Sequence, residues 1–88
     1  MITIQAAIDM ATEEGFTITT DRKIRGLSRP PKSLFYVKHK KSGFIRPVKQ
    51  AYYGSKTWEV DGERGTRAQM IVEAMRQIKR ELNEAWGA

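Results

Sequence analysis

The stretch TRAQMIVEAMRQIKRELNEAW, residues 66–86, constrains the fold more than any other part of the chain. Thr66 and Gln69 have the spacing of a capping box, in which a hydroxyl and an amide each satisfy the other residue's free backbone N–H. Behind them Ile71, Ala74, Met75, Ile78, Leu82, Ala85 and Trp86 recur in steps of one helical turn, which predicts a helix of about twenty residues with one continuous apolar stripe. A one-sided stripe must be covered, so the rest of the chain has to supply an apolar surface. At 100° per residue Arg76, Lys79 and Arg80 fall on one flank of the stripe, and Glu73, Glu81 and Glu84 fall toward the other.

The N-terminal third predicts a second, shorter helix. Thr3 is a capping residue, and Ile4, Ala7, Ile8 and Ala11 follow at i, i+3, i+4 and i+7 before Gly15 stops the element. FTITT, from Phe16, reads as a brief strand. Residues 21–33 contain Gly26, Pro30 and Pro31 among basic side chains and read as a basic, mobile loop. LFYVKH is a strand, Ser42 and Gly43 lie in a turn, and FIRPVKQAYY is the returning strand. Pro47 has no N–H for a ladder, which predicts an edge position or a bulge for that strand. TWEV, residues 57–60, is a last short strand.

The resulting expectation is a single compact domain, residues 1–88, of α+β class. A small antiparallel sheet of three to four strands packs against an N-terminal and a longer C-terminal helix, in an αβββα-like order. With 88 residues the chain sits near the size at which about 60 to 65% of the unfolded surface becomes buried. On LFYVKH, Leu34, Tyr36 and Lys38 share one face and Phe35, Val37 and His39 the other, so the alternation leaves open which face is core.

Charge narrows the functional classes. Between Arg22 and Lys56 there are eleven Lys and Arg and no Asp or Glu, while the other 53 residues carry five basic and ten acidic side chains. A chain basic in the middle and acidic at both ends asks for a polyanionic partner. Lys and Arg release counterions from a phosphate backbone, and exposed tyrosines stack on bases. The candidate contacts are Arg25, Arg29 and Lys32 in the loop, and Tyr36, Lys38, Lys40, Lys41, Arg46, Lys49, Tyr52 and Tyr53 in and beside the hairpin. The hairpin could also enter a major groove as a two-stranded ribbon, with Arg46 or Lys49 reading base edges.

The element order is similar to that of double-stranded RNA-binding domains and of the small DNA-binding arms of tyrosine recombinases. GERGTRAQM, however, stands where the RNA-binding domain carries a lysine cluster at the start of its last helix, and the aromatic–glycine signatures of RNA-recognition sheets are absent. Family membership does not follow from element order.

The inventory for catalysis is thin. There is no cysteine, which excludes disulfides, thiolate zinc sites and thiol nucleophiles and points to a reducing, cytoplasmic setting. His39 is the only histidine and stands among Lys38, Lys40 and Lys41, a setting suited to a phosphate neighbour rather than a general base. Glu59, Asp61 and Glu63 alternate, as carboxylates sharing one face of an extended strand would, and a metal-dependent nuclease could use them. DGERGT places Arg64 and Arg67 around a helix N-terminus that could hold one phosphate.

The N-terminal segment carries acids where a signal peptide needs positive charge, and no apolar run approaches the length that crosses a bilayer. The reading is therefore a non-enzymatic nucleic-acid-binding protein without cofactor, metal or membrane, with DNA slightly ahead of RNA. The competing reading is a small interaction or inhibitor module that docks its basic face on an acidic protein partner. Its acidic ends would also serve head-to-tail homo-oligomerisation.

Overall fold

A computed structural model describes residues 2–19, 34–52 and 54–86, with side-chain surroundings through residue 85. The elements are α1 (Ile4–Glu13), β1 (Phe16–Thr19), β2 (Leu34–His39), β3 (Ile45–Gln50), β4 (Trp58–Val60), β5 (Glu63–Gly65) and α2 (Arg67–Trp86). The strands form one antiparallel sheet in the order β1-β2-β3-β4-β5, and both helices pack on one of its faces. The expected α+β arrangement therefore holds, with five strands where three or four were expected. The basic loop 21–33, Tyr53 and the side chain of Trp86 lie outside the described residues.

Both helices start where the sequence places them. The Thr3 hydroxyl accepts the Ala6 N–H at 3.1 Å, and α1 ends at Gly15, whose φ of +86° is the left-handed conformation glycine adopts without strain. At α2 the capping box closes in both directions: Gln69 N–H donates to Thr66 Oγ1 at 3.1 Å, and Thr66 N–H donates to Gln69 Oε1 at 2.9 Å. Ile2 to Ile4 lie beside Thr66 to Ala68, and the Glu14 carboxylate pairs with Lys79. The two helices thus run side by side in the same direction.

The core lies between these helices and the sheet. Ala7 and Ala11 of α1 and Ala68, Ile71, Ala74, Met75 and Ile78 of α2 are buried against Phe16, Phe35, Val37, Val48, Trp58 and Val60. Small residues at the buried positions of α1 let the two helices approach closely. Leu82 is partly buried and Ala85 is exposed, so the stripe loses cover in its last turn. Phe35 and Trp58 meet at a ring separation of 5.4 Å, and the Arg67 guanidinium lies 5.1 Å from the Trp58 ring centroid.

Two strand-level expectations change. Pro47 sits in the third strand of five, not at an edge. His39 N–H donates to Phe44 O at 2.8 Å, so by antiparallel alternation the Tyr36/Pro47 pair is non-hydrogen-bonded and the Pro47 nitrogen faces away from β2. On its other side the β3–β4 register covers only Lys49/Glu59 and Gln50/Trp58. The missing donor thus falls beyond the end of that ladder and costs nothing there.

The second change is β5. ERG has no apolar residue to betray a strand, yet Val60 and Glu63 pair across Asp61–Gly62 with φ of +45° and +89°. Two successive positive φ values define a type I′ turn, the two-residue turn whose twist suits a hairpin. Glu59, Asp61 and Glu63 consequently do not line one strand face: Asp61 is in the turn, and Glu59 and Glu63 lie on opposite faces of the sheet.

Candidate functional site

The register assigns every hairpin side chain to a face. Phe35, Val37, Arg46, Val48 and Gln50 point to the helix side together with Phe16, Trp58 and Val60. The opposite face carries Leu34, Tyr36 and Lys38 from β2 and Ile45, Pro47 and Lys49 from β3. Among the described residues no helix covers this second face. Tyr36 and Leu34 are half-buried, while Lys38, Ile45, Pro47 and Lys49 are exposed.

Local hydrogen bonds shape the β2–β3 turn beside that face. Gly43 N–H donates to His39 O at 2.8 Å, Ser42 N–H donates to His39 Nδ1 at 3.2 Å, and Phe44 N–H donates to Ser42 Oγ at 3.1 Å. Ser42 Oγ lies 2.8 Å from the same nitrogen, within hydrogen-bond distance. The other side of the imidazole packs on Phe16 at 5.0 Å. Lys40 N–H donates to Gly15 O at 3.0 Å, tying the turn to the α1–β1 junction. Lys40 and Lys41 are exposed on this braced backbone. His39 therefore has a structural task, holding the turn that displays two lysines.

The ion pairs are segregated. Arg46 Nη2 lies 2.6 Å from Glu81 Oε1, though out of line for a hydrogen bond, and Lys79 pairs with Glu14. Arg76 grips Glu73 through Nε at 3.0 Å and Nη2 at 2.7 Å, and Arg64 Nε lies 3.5 Å from Glu59. Lys38, Lys40, Lys41, Lys49 and Lys56 make no ion pair with a described residue.

Among the candidate contacts, Tyr36, Lys38 and Lys49 thus come together on the open face, with Lys40 and Lys41 at its end. Arg46 is separated from them, on the helix side against Glu81. Tyr52 is 69% exposed in the segment after β3. Arg25, Arg29, Lys32 and Tyr53 lie outside the described residues. Ile45 and Pro47 were not among the candidates, although they complete the apolar part of the open face. Their parity follows once Val48 is recognised as the core partner of Phe35. Arg64 and Arg67, considered for a phosphate at the α2 N-terminus, are occupied by Glu59 and Trp58, and the capping box uses the Thr66 and Gln69 N–H groups.

The Glu73 carboxyl is held below its ordinary value of 4.5, first by the Arg76 hydrogen bonds. A carboxyl with a lowered folded-state pKa contributes stability that is present above its unfolded value and is lost as pH falls through the folded value. Stability should therefore fall on acidification below about pH 4.5, and Arg76→Gln should flatten that dependence. Urea midpoints measured at stepped pH check this, and identical pH slopes for the two proteins would count against it.

Comparison of the chain with protein-family models, curated proteins and solved structures finds no match. Among the described residues, no helix is long and apolar enough to cross a membrane, and no group of three or more His, Cys, Asp or Glu side chains could hold a metal ion.

Proposed function

We propose that this protein is a non-enzymatic nucleic-acid-binding protein that docks the phosphate backbone on the lysines of the open sheet face and the β2–β3 turn. One observation carries this reading: Lys38, Lys40, Lys41 and Lys49 are exposed and make no ion pair with a described residue, Lys49 having Glu59 opposite it in the register, whereas Arg46, Arg64, Arg76 and Lys79 each pair with a carboxylate. A polyanion offers those four lysines the ion pairs that they do not make within the described residues. The acidic ends also find a use, since Glu14, Glu59, Glu73 and Glu81 are engaged within the molecule. The reading therefore does not require the acidic ends to bind a second partner. A cysteine-free chain of this kind suits a reducing cytoplasm.

Binding to labelled duplex DNA, single-stranded DNA and duplex RNA across a salt series tests the proposal. At least one polymer should bind with log K falling linearly against log salt, and Lys40→Glu/Lys41→Glu should reduce the slope by about 1 for each phosphate no longer neutralised. Weak binding to all three, unchanged in the variant, would remove the nucleic-acid reading and leave an acidic protein surface as the partner to seek.

A further inference from the structure

The topology bears on which form of nucleic acid the open face can accept. A two-stranded ribbon reads a duplex by entering a major groove about 12 Å wide. Here β2 and β3 are the second and third strands of five, flanked by β1 and β4. Five strands at about 4.8 Å spacing make a sheet roughly 19 Å across between its outer strands, too broad for that groove. Nor does the hairpin tip stand clear of its neighbours. Phe16 pairs with His39, the last residue of β2, and Lys40 N–H is bonded to Gly15 O. The ribbon mode that the sequence also allowed is thereby hindered by β1 at the tip.

What the sheet offers instead is a platform. Tyr36 stands opposite Pro47 in the register, with Leu34 and Ile45 on the same face. The Tyr36 hydroxyl makes no hydrogen bond with a described residue. Lys38, opposite Ile45, and Lys49, opposite Leu34, occupy diagonal corners of this apolar patch. Four residues along a strand and one strand across put their backbones about 14 Å apart, with Tyr36 and Pro47 between them. A duplex buries its base faces and presents edges and phosphates, so the Tyr36 ring would find no base face to stack on. An unpaired strand presents both a base face for the ring and phosphates for the lysines.

We infer that the open face binds single-stranded nucleic acid laid across β2 and β3, with Tyr36 as the stacking ring and Lys38 and Lys49 as phosphate contacts on either side. The inference rests on the nucleic-acid reading above and narrows it to unpaired strands. Its occupant is set by charge complementarity together with the ring: neither lysine makes an ion pair with a described residue, although Glu59 stands opposite Lys49 in the register and pairs with Arg64, and the patch between the two lysines is apolar.

The test compares a labelled oligothymidylate with the same oligonucleotide annealed to its complement, using the full chain and its Tyr36→Leu and Tyr36→Phe variants. The single strand should bind at least about tenfold tighter than the duplex at matched salt. Tyr36→Leu should weaken single-strand binding by at least about fivefold with little change in salt slope, while Tyr36→Phe stays within about twofold. A duplex bound as tightly as the single strand, or a Tyr36→Leu variant of undiminished affinity and unchanged urea midpoint, would overturn this inference while phosphate docking survives. If neither polymer binds, this inference falls, and the nucleic-acid reading falls with it when duplex RNA also fails to bind. The polymer comparison on the unmodified chain stands even where a variant fails to fold.

Discussion

Phe16→Ala should destabilise the protein by about 3–5 kcal/mol, the range for removing a buried phenylalanine. Phe16 is only 2% exposed and is among the largest fully buried side chains. It stands at the start of β1, immediately after the Gly15 that ends α1, and joins the core that both helices cover. A chain of this length has a total stability of about 4–13 kcal/mol, so the loss would take a large share of it. The melting temperature should fall by at least about 12 °C, since each kcal/mol is worth about 4–8 °C in a domain of this size. Ile45→Ala is the matched control. Ile45 is also apolar but is 38% exposed on the open face, and its truncation should change stability by no more than about 0.5 kcal/mol. Equal losses in the two variants would mean that the face assignment is wrong. Because Phe16 packs on the His39 ring, its removal should also loosen the turn that displays Lys40 and Lys41.

The second large effect concerns charge. Lys38→Glu/Lys49→Glu should weaken binding of single-stranded nucleic acid by at least about a hundredfold at low salt. Each reversal changes the local charge by two units, and each unit is worth about 1 kcal/mol at 4 Å in water, before screening reduces it. With two phosphates no longer neutralised, the salt slope should drop by about 1.4, or 0.7 for each phosphate on a single strand. Arg46→Gln is the informative comparison because Arg46 stands in the same strand as Lys49 but on the other face, against Glu81. Its affinity should stay within about twofold of the unmodified protein. Its stability should fall by less than about 1 kcal/mol, as expected for a pair exposed to solvent at 26% and 43%. If Arg46→Gln weakens binding as much as the lysine reversals, the contact surface is not the open face.

These comparisons separate what was legible in the chain from what was not. Both helix starts were written locally, because a cap is a hydrogen bond between residues three apart. Thr3 with Ala6, and Thr66 with Gln69, need no tertiary partner. The β2–β3 hairpin was legible for the same reason, through its alternation and its turn. The strand β5 was not, since two charged residues and a glycine pair only because a type I′ turn brings them beside β4. Pro47 misled because proline argues against a central strand only where its missing N–H would have met a partner, and that depends on how far β4 extends.

The same division runs through the candidate site. By itself, the sequence determined the charge belt, the α+β class and the two helical stripes, because composition and periodicity are properties of the chain before it folds. Only the tertiary structure decided which side of the hairpin is covered. Leu34, Tyr36 and Lys38 alternate with Phe35, Val37 and His39, and either set could have formed an apolar face. The helices cover the Phe35 and Val37 side, which turns Arg46 toward Glu81 and leaves Tyr36, Lys38 and Lys49 on the other. A side-chain period of two makes both faces equally available to a strand, and only the packing of a second layer breaks that symmetry.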